Sequence, residues 1–358
     1  MTLNNSRKEK PLSPFEQVAL AALPPIPHPA KYLAAVSGGA DSAAMLAALA
    51  RLRGEAHFSL CCAHVNHGLR SPEESAGDAA AVRSLCKSLK VPCRVVSFPP
   101  GKIAAFAAQQ GTGIEAAARI FRMSALRREA QRFGADYILT AHTHDDLLET
   151  LLMRVLRGAG PAGLSPMPPV RGLMLRPLLA VARQDVLAYL AQRDIPYRTD
   201  STNADIRFLR NRIRHKLVPL LDEFFPSWRS SLRALAETQD LSAQFLAAEA
   251  QQRLPWTSAA GKLFVPEADF FAAPQILREE AVFAGADKLA DLPPASPTAT
   301  PRRVAVRRAV QPPAAGKPAA TDLGPLHLRR RGGYIELEPA RPTDRARGAP
   351  ENFPPPLS

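Results

Sequence analysis

The sequence predicts an α/β protein in which a parallel-sheet domain is followed by a small helical domain and a Pro-rich tail. Short apolar runs that suit buried strands alternate with longer helical stretches up to about residue 193. This alternation is typical of a parallel sheet with helices on both faces. A glycine turn joins the first apolar run to the first helix, and beyond residue 290 proline and alanine dominate.

The strands and helices follow one another in a regular order. Apolar runs predict strands at 33–36, 57–65, 93–98 and 136–141. The helical stretches are 14–23, 42–52, 73–89, 102–109, 115–133, 145–156, 183–193, 206–217 and 228–252. Ligands of parallel sheets bind at the carboxyl ends of the strands. The polar segments Ser37–Ser42, His64–Arg70 and His142–Glu149 directly follow predicted strands and are therefore expected to lie together.

At 358 residues the chain is long enough for two domains, and proline and glycine mark the predicted limits. Pro219 and Pro226 precede the longest helix, and Gly332 and Gly333 form the centre of a two-stranded hairpin. The predicted divisions are an N-terminal extension (1–30), an α/β domain (31–218), a helical domain (219–290), a Pro/Ala-rich linker (291–325), a β-hairpin (326–340) and a disordered tail (341–358).

Composition indicates an anionic partner and a reducing environment. The net charge is +13 and the pI about 10.0, which favours nucleic acid as a partner, although a merely basic soluble protein has the same composition. The four cysteines show no Cys-x-x-Cys pair and no His/Cys metal spacing, which predicts reduced, mostly buried thiols. No apolar run is long enough to span a membrane, and the start of the chain is polar. We therefore expect a cytoplasmic protein without a membrane partner.

The turn Ser37-Gly38-Gly39-Ala40-Asp41-Ser42 carries the strongest chemical signal. Two glycines permit a sharp turn and let a phosphate approach the backbone. The N–H groups of the turn and of the following helix start favour an anion there. A Gly-Gly turn capped by Asp or Ser is the structural alternative, but the full hexapeptide between a strand and a helix favours phosphate binding.

Two further segments could contact a nucleotide. His64, Asn66, His67 and Arg70 follow the second predicted strand, where such side chains bind an anion or merely cap a loop. Glu115 and Arg119 stand four residues apart at a helix start. That spacing is typical of an exposed ion pair, so a phosphate-binding role for Arg119 is one of two interpretations.

The segment from Thr140 to Thr150 places several acids at the start of a helix. Capping explains one of its carboxylates. It does not explain Asp145 and Asp146 together with Glu149, which shares a helix face with Asp146. Such a group could hold Mg²⁺ or a substrate ammonium, and it could accept a proton during attack by an amine.

A basic run follows near residue 210. Arg207, Arg210, Arg212, Arg214 and Lys216 lie within ten residues with no intervening acid. A solvated helix face is the structural interpretation, and contact with RNA phosphates is the functional one.

Seven segments occur in an order that is more specific than any single motif. They are Ser37–Ser42, His64–Arg70, Glu115–Arg119, Thr140–Thr150, Arg157–Leu164, Arg176–Leu179 and Asp200–Arg214. Together they resemble the tRNA(Ile)-lysidine synthetases, which are PP-loop ATP pyrophosphatases with an adenine nucleotide alpha hydrolase-like fold. The resemblance covers roughly residues 30–220. Thr143 and Leu147 depart from the family pattern, which has His and Gln there.

The resemblance implies an ATP- and Mg²⁺-dependent ligase that forms a carbon–nitrogen bond. Such an enzyme adenylates O2 of the wobble cytidine in a tRNA(Ile) with a CAU anticodon, and free L-lysine then displaces AMP to form lysidine. It implies catalytic roles for Asp41, Arg119, His142, Asp146 and Glu149, the acid pair Asp146–Glu149 holding the lysine. It implies ATP contacts by Ser37, Gly38, Gly39, Ala40, Asp41, Ser42, His64 and Asn66. Asp41 would assist either Mg²⁺ or amine activation.

For the remaining parts of the chain the resemblance implies tRNA binding. The α/β domain would be catalytic, and the helical domain would bind tRNA together with Arg207, Arg210, Arg212, Arg214 and Lys216. The alternatives are a PP-loop tRNA 2-thiolation enzyme, which would need the missing Cys-x-x-Cys, and a non-catalytic RNA-binding protein. The departures at Thr143 and Leu147 motivate the second alternative. The sequence leaves the oligomeric state open, a homodimer being one candidate.

Overall fold

The computed structural model describes residues 11–198, 206–290, 301–312 and 320–340. The chain divides into two compact units. The first consists of Met1–Met153 and Pro166–Leu232, and the second of Arg154–Ser165 and Arg233–Ser358.

A mostly parallel sheet forms the centre of the first unit. Its strands are β1 (Lys31–Ala35), β2 (Ser59–Asn66), β3 (Cys93–Ser97), β4 (Tyr137–Thr140), β5 (Val170–Arg171) and β6 (Met174–Leu175). Within the described residues their order is β3-β2-β1-β4-β6-β5, and only the β5–β6 pair is antiparallel. The four predicted strands are therefore confirmed, and the short β5–β6 ribbon is an addition to them.

Helices connect and cover these strands. In chain order the helices are α1 (Pro14–Ala21), α2 (Ala40–Leu52), α3 (Pro72–Ser88), α4 (Lys102–Gln109), α5 (Ile114–Phe133), α6 (His144–Leu156), α7 (Pro161–Leu164), α8 (Arg183–Gln192), α9 (Leu209–Arg212), a π-helical turn (Ile213–Leu217) and α10 (Val218–Phe224). Of these, α7 and the last turn of α6 belong to the second unit. Among the helices that the structure describes, here and in the second unit, none combines the length and apolarity needed to cross a bilayer.

Alternation of side chains along β1 explains why both faces of the sheet are covered. Leu33 points to one face, where it packs with Leu126 and Ala130 of α5. Ala34 points to the other face, where α2 lies with Leu46 and the other apolar residues of the larger core. The predicted α/β fold with a parallel sheet between helical layers is confirmed, and the carboxyl ends of β1, β2 and β4 lie side by side.

The N-terminal helix is fixed to this core by a buried carboxylate. Glu16 is fully buried and closes a capping box with Ser13 at the start of α1. One of its oxygens accepts a hydrogen bond of 2.9 Å from the Tyr189 hydroxyl and pairs with Arg193 at 2.6 Å. Phe15 stacks on Tyr189 with 4.3 Å between ring centroids. The helix predicted at 14–23 is therefore an integral part of the first unit.

The second unit has an antiparallel sheet with helices against it. Its elements are α11 (Trp228–Arg253), which begins within the first unit, β7 (Thr257–Ala259), β8 (Lys262–Pro266), α12 (Glu267–Ala272), α13 (Gln275–Ala290), α14 (Arg303–Ala309), β9 (Ala320–Asp322), β10 (Leu326–Arg331) and β11 (Tyr334–Pro339). The described strands have the order β7-β8-β11-β10-β9. Val282 and Leu289 of α13 belong to the core beneath this sheet.

The boundaries of the predicted domains differ from those of the two units. The division lies after Leu232 and not after residue 218, because Pro219 stands in the first turn of α10 and starts that helix. The segment 219–290 is not purely helical, since it contributes β7 and β8 to the second sheet. The predicted hairpin 326–340 is present, but it is part of this sheet because β11 pairs with β8.

The segment predicted as a linker contains a packed helix. Val306 and Val310 of the α14 region are fully buried, and Arg303 pairs with Glu279 and Glu280 of α13. A proline- and alanine-rich composition concealed this short apolar pair at helical spacing. The predicted tail at 341–358, residues 1–10 of the predicted N-terminal extension and residues 200–205 of the segment Asp200–Arg214 lie outside the described residues.

We expect Glu16→Gln to destabilise the first unit by about 1.5–3 kcal/mol, the range for hydrogen bonds to a buried charge. Burial would raise the pKa of Glu16, but the hydrogen bonds from Ser13 and Tyr189 and the charge of Arg193 outweigh it and lower the pKa. A lowered pKa means that the stabilisation exists above the ordinary value of 4.5 and disappears as pH falls through the folded-state pKa. Urea unfolding of both proteins at neutral and acidic pH measures this difference.

A matched control is Glu55→Gln, which removes the i,i+4 pair of Glu55 with Arg51. Both side chains of that pair are partly exposed, so the expected loss is a few tenths of a kcal/mol. Equal losses in the two variants, or a Glu16→Gln difference that persists in acid, would contradict the role given to Glu16.

Candidate active site

Three strand ends bring the predicted site segments together. Ala35 of β1 pairs with Ala63 of β2 on one side and with Thr140 of β4 on the other. The chain leaves these strands at Ser37–Ser42, at His64–Arg70 and at His142–Glu149. The expected grouping of the three segments at one edge of the sheet is therefore observed.

The glycine turn is shaped by one special backbone conformation and one buried hydroxyl. Gly38 has φ +98°, in the left-handed region that an L side chain rarely adopts. Gly39 has an ordinary extended conformation and is the N-cap residue of α2. The buried Ser42 hydroxyl accepts from the N–H groups of Ser37 and Gly38, each at 3.2 Å, and donates to the carbonyl of Gly39.

These bonds correct the expectation that every N–H group of the turn points at a ligand. The N–H groups of Ser37 and Gly38 donate to the Ser42 hydroxyl, and the N–H of Gly39 donates to the Ser37 hydroxyl at 3.4 Å. The first N–H groups of a helix have no acceptor within the helix. In α2 they belong to Ala40, Asp41 and Ser42, so an anion would bind at the helix start rather than inside the turn.

His64 supports the turn from the neighbouring strand. Its side chain is 4% exposed, and its Nδ1 donates to the carbonyl of Val36 at 2.8 Å. Because a carbonyl only accepts, Nδ1 carries a proton. Asn66 uses its Oδ1 to accept from the N–H of Gly68 at 2.9 Å, as in an Asx turn. Both contacts position loops, and direct contact of either residue with ATP stays a prediction.

Only one of the two carboxylate oxygens of Asp41 has a hydrogen-bond partner among the described residues. Its Oδ2 accepts from the Arg183 guanidinium, whereas its buried Oδ1 has no hydrogen-bond partner among the described residues. Asp145 in turn accepts from the backbone N–H of Arg183 at 2.7 Å and so fixes the start of α8. Burial raises the pKa of Asp41 and the charge of Asp146 adds to this, while Arg183 acts in the opposite direction. The orphaned Oδ1 fits a carboxylate that is prepared for a cation.

The start of α6 sets the positions of the acid pair. Thr143, which is 1% exposed, receives a hydrogen bond from the N–H of Asp146, and the Thr143 N–H donates to Asp146 Oδ2 at 3.0 Å. This reciprocal pair has the form of a capping box. One turn further, Glu149 is 3% exposed and faces the same side as Asp146.

Two arginines occupy this acid pair. Arg210 donates to Glu149 at 2.9 Å and to Asp146 at 2.8 Å, and Arg214 donates to Glu149 at 2.6 Å and to Asp146 at 3.3 Å. The helical spacing that predicted an RNA-binding stripe therefore turns these two cations toward the carboxylates. In this structure Arg210 and Arg214 pair with Asp146 and Glu149 and do not form a stripe that faces only solvent.

The other predicted tRNA contacts have a different environment. Arg207, Arg212 and Lys216 are exposed, and Arg212 and Lys216 stand one helical turn apart. They are therefore the members of the basic run that could reach a phosphate without breaking the four-residue ion-pair cluster of Asp146, Glu149, Arg210 and Arg214.

A concentration of positive charge lies near His142. Arg119 is exposed on α5, and its charge lowers the pKa values of Arg122 and Arg176 further after the larger effect of burial. The pKa of His142 falls to about 4, chiefly through burial; Asp146 acts to raise the pKa, and Arg176, Arg210 and Arg122 act to lower it. His142 is therefore neutral near pH 7, and the surrounding guanidinium groups favour an anionic ligand.

Sequence reasoning missed several side chains that complete the site. Arg183 was seen only as the start of a helix, yet it pairs with Asp41. Arg198 donates its backbone N–H to the carbonyl of Gly38 at 3.0 Å and pairs through Nε with Asp78 at 2.6 Å. No local pattern marks these residues, because each contact joins segments that are far apart in the chain.

Comparison with known proteins matches these motifs. The profile of the PP-loop domain family matches residues 12–221. A tRNA(Ile)-lysidine synthase of Treponema denticola is 41% identical over 204 residues, which are 57% of this chain and 44% of that protein. The tRNA(Ile)-lysidine synthase of Treponema pallidum is 40% identical over 261 residues, which are 70% of this chain and 54% of that protein. The chain thus spans about half the length of the curated relatives it matches.

Among solved structures, a U34-tRNA thiolase of Methanococcus maripaludis with its 4Fe–4S cluster has a similar fold. The TM-score is 0.50 at 15% sequence identity, over 63% of this chain and 77% of that chain. At this identity the likeness concerns the fold alone, and it agrees with the sheet and helix arrangement described above.

If phosphate lies against the start of α2, Gly39→Ala will weaken ATP binding at least tenfold, or about 1.4 kcal/mol. The added methyl would meet nothing closer than the Ser37 hydroxyl at 3.6 Å, and the backbone suits alanine. Folding stability should therefore change by less than about 1 kcal/mol. Calorimetric titration with ATP and thermal unfolding of the same samples separate the two effects.

Gly54→Ala is the matched control, because nothing lies within 4 Å of its added methyl. It should bind ATP like the unmodified chain. Gly38→Ala should lose stability as well as ATP affinity, since its φ of +98° strains any L residue by about 1–3 kcal/mol. Unchanged ATP affinity in Gly39→Ala would show that phosphate does not approach this turn.

Proposed function

This chain belongs to the PP-loop domain family, and from that membership we propose that it is an ATP-dependent ligase that forms lysidine in tRNA(Ile) with a CAU anticodon. O2 of the wobble cytidine attacks the α-phosphorus of ATP and diphosphate leaves. The ε-amine of free L-lysine then attacks C2, AMP leaves, and a carbon–nitrogen bond remains. The observation that carries the proposal is the convergence of the glycine turn, Asp41 and the pair Asp146–Glu149 at one sheet edge, in a chain about 40% identical to curated tRNA(Ile)-lysidine synthases.

The start of α2 would hold the ATP phosphates. Ala40, Asp41 and Ser42 present the first N–H groups of the helix, where the helix dipole favours negative charge. Asp41 Oδ1 fits Mg²⁺ because it is a buried carboxylate oxygen without a partner among the described residues. When bound there, the ion would neutralise phosphate charge. Arg183 already compensates the charge of Asp41 itself.

The cationic side of the site would serve the adenylation step. Arg119, with Arg122 and Arg176 near it, would attract the α-phosphate and the adenylated cytidine. His142, with a pKa of about 4, is neutral at pH 7 and would contribute a hydrogen bond rather than a positive charge. Its Nδ1 lies 3.0 Å from the Thr140 hydroxyl, which orients the ring.

The acid pair would serve the lysine step. A lysine ammonium resembles the guanidinium groups that now occupy Asp146 and Glu149, so lysine would replace at least part of the contacts made by Arg210 and Arg214. The amine is protonated at neutral pH and must lose a proton before it attacks. A carboxylate of this pair is positioned to accept that proton.

The tRNA would bind beside this site. Arg212 and Lys216, with Arg207, form the exposed part of the basic run, and Arg210 and Arg214 would join them when lysine displaces them from the acids. A cytoplasmic location follows from the proposed substrate, and the net charge of +13 suits a polyanionic partner. The second unit, which includes residues 233–290 of the domain predicted to bind tRNA, would add further contacts.

The decisive assay combines the purified chain with tRNA(Ile) transcript bearing a CAU anticodon, ATP, Mg²⁺ and labelled lysine. We expect label in the tRNA with equal amounts of AMP released. A transcript with uridine at the wobble position should accept no lysine. Tight binding of the transcript without any lysine incorporation, or sulfur transfer to the uridine transcript from a sulfide donor, would replace the proposal with one of the two alternatives.

Glu149→Gln tests the acid pair. We expect lysine incorporation to fall at least a hundredfold, about 2.7 kcal/mol, because the ammonium loses a charged partner. Diphosphate release with CAU transcript and ATP should fall far less, since adenylation precedes the lysine step. Glu129→Gln is the matched control, because Glu129 is also buried and paired with an arginine, Arg132 at 2.8 Å, but lies on α5. Equal incorporation by the two variants would remove Glu149 from the mechanism.

A further inference from the structure

Three cysteines that are distant in sequence meet inside the first unit. Cys62 lies on β2, Cys86 on α3, and Cys93 is the first residue of β3. Their three Sγ atoms all lie within 4.8 Å of one another. Cys62 and Cys86 are at most 1% exposed, Cys93 is half-buried, and all are free thiols.

The sheet register creates this cluster. Cys62 and Cys93 are direct partners in the parallel β2–β3 ladder. The helix α3 connects the two strands and lays Cys86 over them. Cys61, the neighbour of Cys62, points to the opposite face of the sheet and packs with Leu33 instead. The spacing of the cysteines along the chain shows no metal-ligand pattern, because the three residues converge only through this crossover.

The spacing of the sulfurs fits a shared ligand. Sulfurs that bind one zinc ion lie about 3.8 Å apart, since each Zn–S bond is about 2.3 Å in a tetrahedral site. The observed upper limit of 4.8 Å therefore requires a movement of about 1 Å at most. A disulfide would require two of the sulfurs to approach to about 2.05 Å, and the third cysteine would remain an unbonded thiol.

Packing alone is the simpler alternative, because free cysteine behaves as a small buried apolar residue. It explains a buried cysteine at each position separately. It does not explain why three thiols face one another when alanine or valine would fill the same core.

We propose that Cys62, Cys86 and Cys93 form a binding site for a single thiophilic cation of the Zn²⁺ class. Thiolate sulfur is the ligand type that such soft or borderline ions prefer. Three protein sulfurs leave one tetrahedral position, which solvent fills from the half-buried side at Cys93. Binding forms three metal–sulfur bonds and releases the three S–H protons.

The site is separate from the proposed ligase chemistry. Cys93 stands at the beginning of β3, whereas the glycine turn and the acid pair follow the ends of their strands. A bound ion would link β2, the edge strand β3 and α3 of the described sheet, so its expected effect is stabilisation of this side of the first unit. The proposal therefore stands or falls independently of lysidine formation.

Titration of the reduced, metal-free full chain with Cd²⁺ tests the site, because cadmium–thiolate bonds give an ultraviolet charge-transfer band. We expect the band to saturate at one Cd²⁺ per chain and to disappear when Zn²⁺ competes. Zn²⁺ should also raise the Tm of the chain. An absent band, or one that saturates only in large excess of metal, would overturn the proposal.

Two variants identify the ligands. Cys93→Ala, at the half-buried edge position, should weaken Cd²⁺ binding at least tenfold and abolish the rise in Tm while circular dichroism shows an unchanged fold. Cys61→Ala is the matched control and should keep both effects, since Cys61 is equally a buried thiol on β2. Cys62→Ala should behave like Cys93→Ala. Full Cd²⁺ binding by Cys93→Ala, or equal losses in Cys61→Ala, would refute this ligand set.

Discussion

The ion-pair cluster of Asp146, Glu149, Arg210 and Arg214 is the constraint on which the candidate site depends. It joins α6 to a segment more than sixty residues later in the chain. Two positive and two negative charges balance one another in a place where Glu149 is almost completely buried. Removing one member would leave a partner's charge without compensation, which is costly in a protein interior. The cluster therefore fixes the position of α9 and the π-helical turn against the sheet edge.

The same principle extends to two further carboxylates, each of which pairs with arginines outside its own helical turn. Asp41 pairs with Arg183, and Asp78 pairs with Arg70 and Arg198. The exception is the positive group around Arg119, Arg122 and Arg176, in which burial and mutual repulsion lower pKa values. A polyanion such as ATP would meet an excess of positive charge there, whereas an ammonium ligand would compete with arginine for its carboxylates. In our proposal ATP is attracted by this positive charge, and lysine binds by replacing arginine contacts with the acid pair.

Local periodicity was sufficient to predict the four parallel strands, most helices and the edge where the site lies. It also predicted the glycine turn, whose Gly38 adopts the left-handed conformation that the motif requires. It failed where a residue's partner lies far away in sequence. Arg210 and Arg214 have the spacing of an exposed stripe but face acids, and the cysteine cluster depends on the β2–β3 register. In the predicted linker, one buried valine pair was too short a signal against its proline-rich surroundings.

Thr143 and Leu147, which depart from the family pattern, both have structural roles at the start of α6. Thr143 is buried and caps α6, and Leu147 is 8% exposed one turn later, with its N–H bonded to the Thr143 carbonyl. Neither side chain displaces Asp146 or Glu149, because the i, i+3 spacing keeps the two acids on their own face. A threonine cap fixes the first turn of the helix more firmly than a residue without a side-chain acceptor. Thr143 and Leu147 therefore give no physical reason to expect a non-catalytic protein, because the acid pair keeps its place beside them.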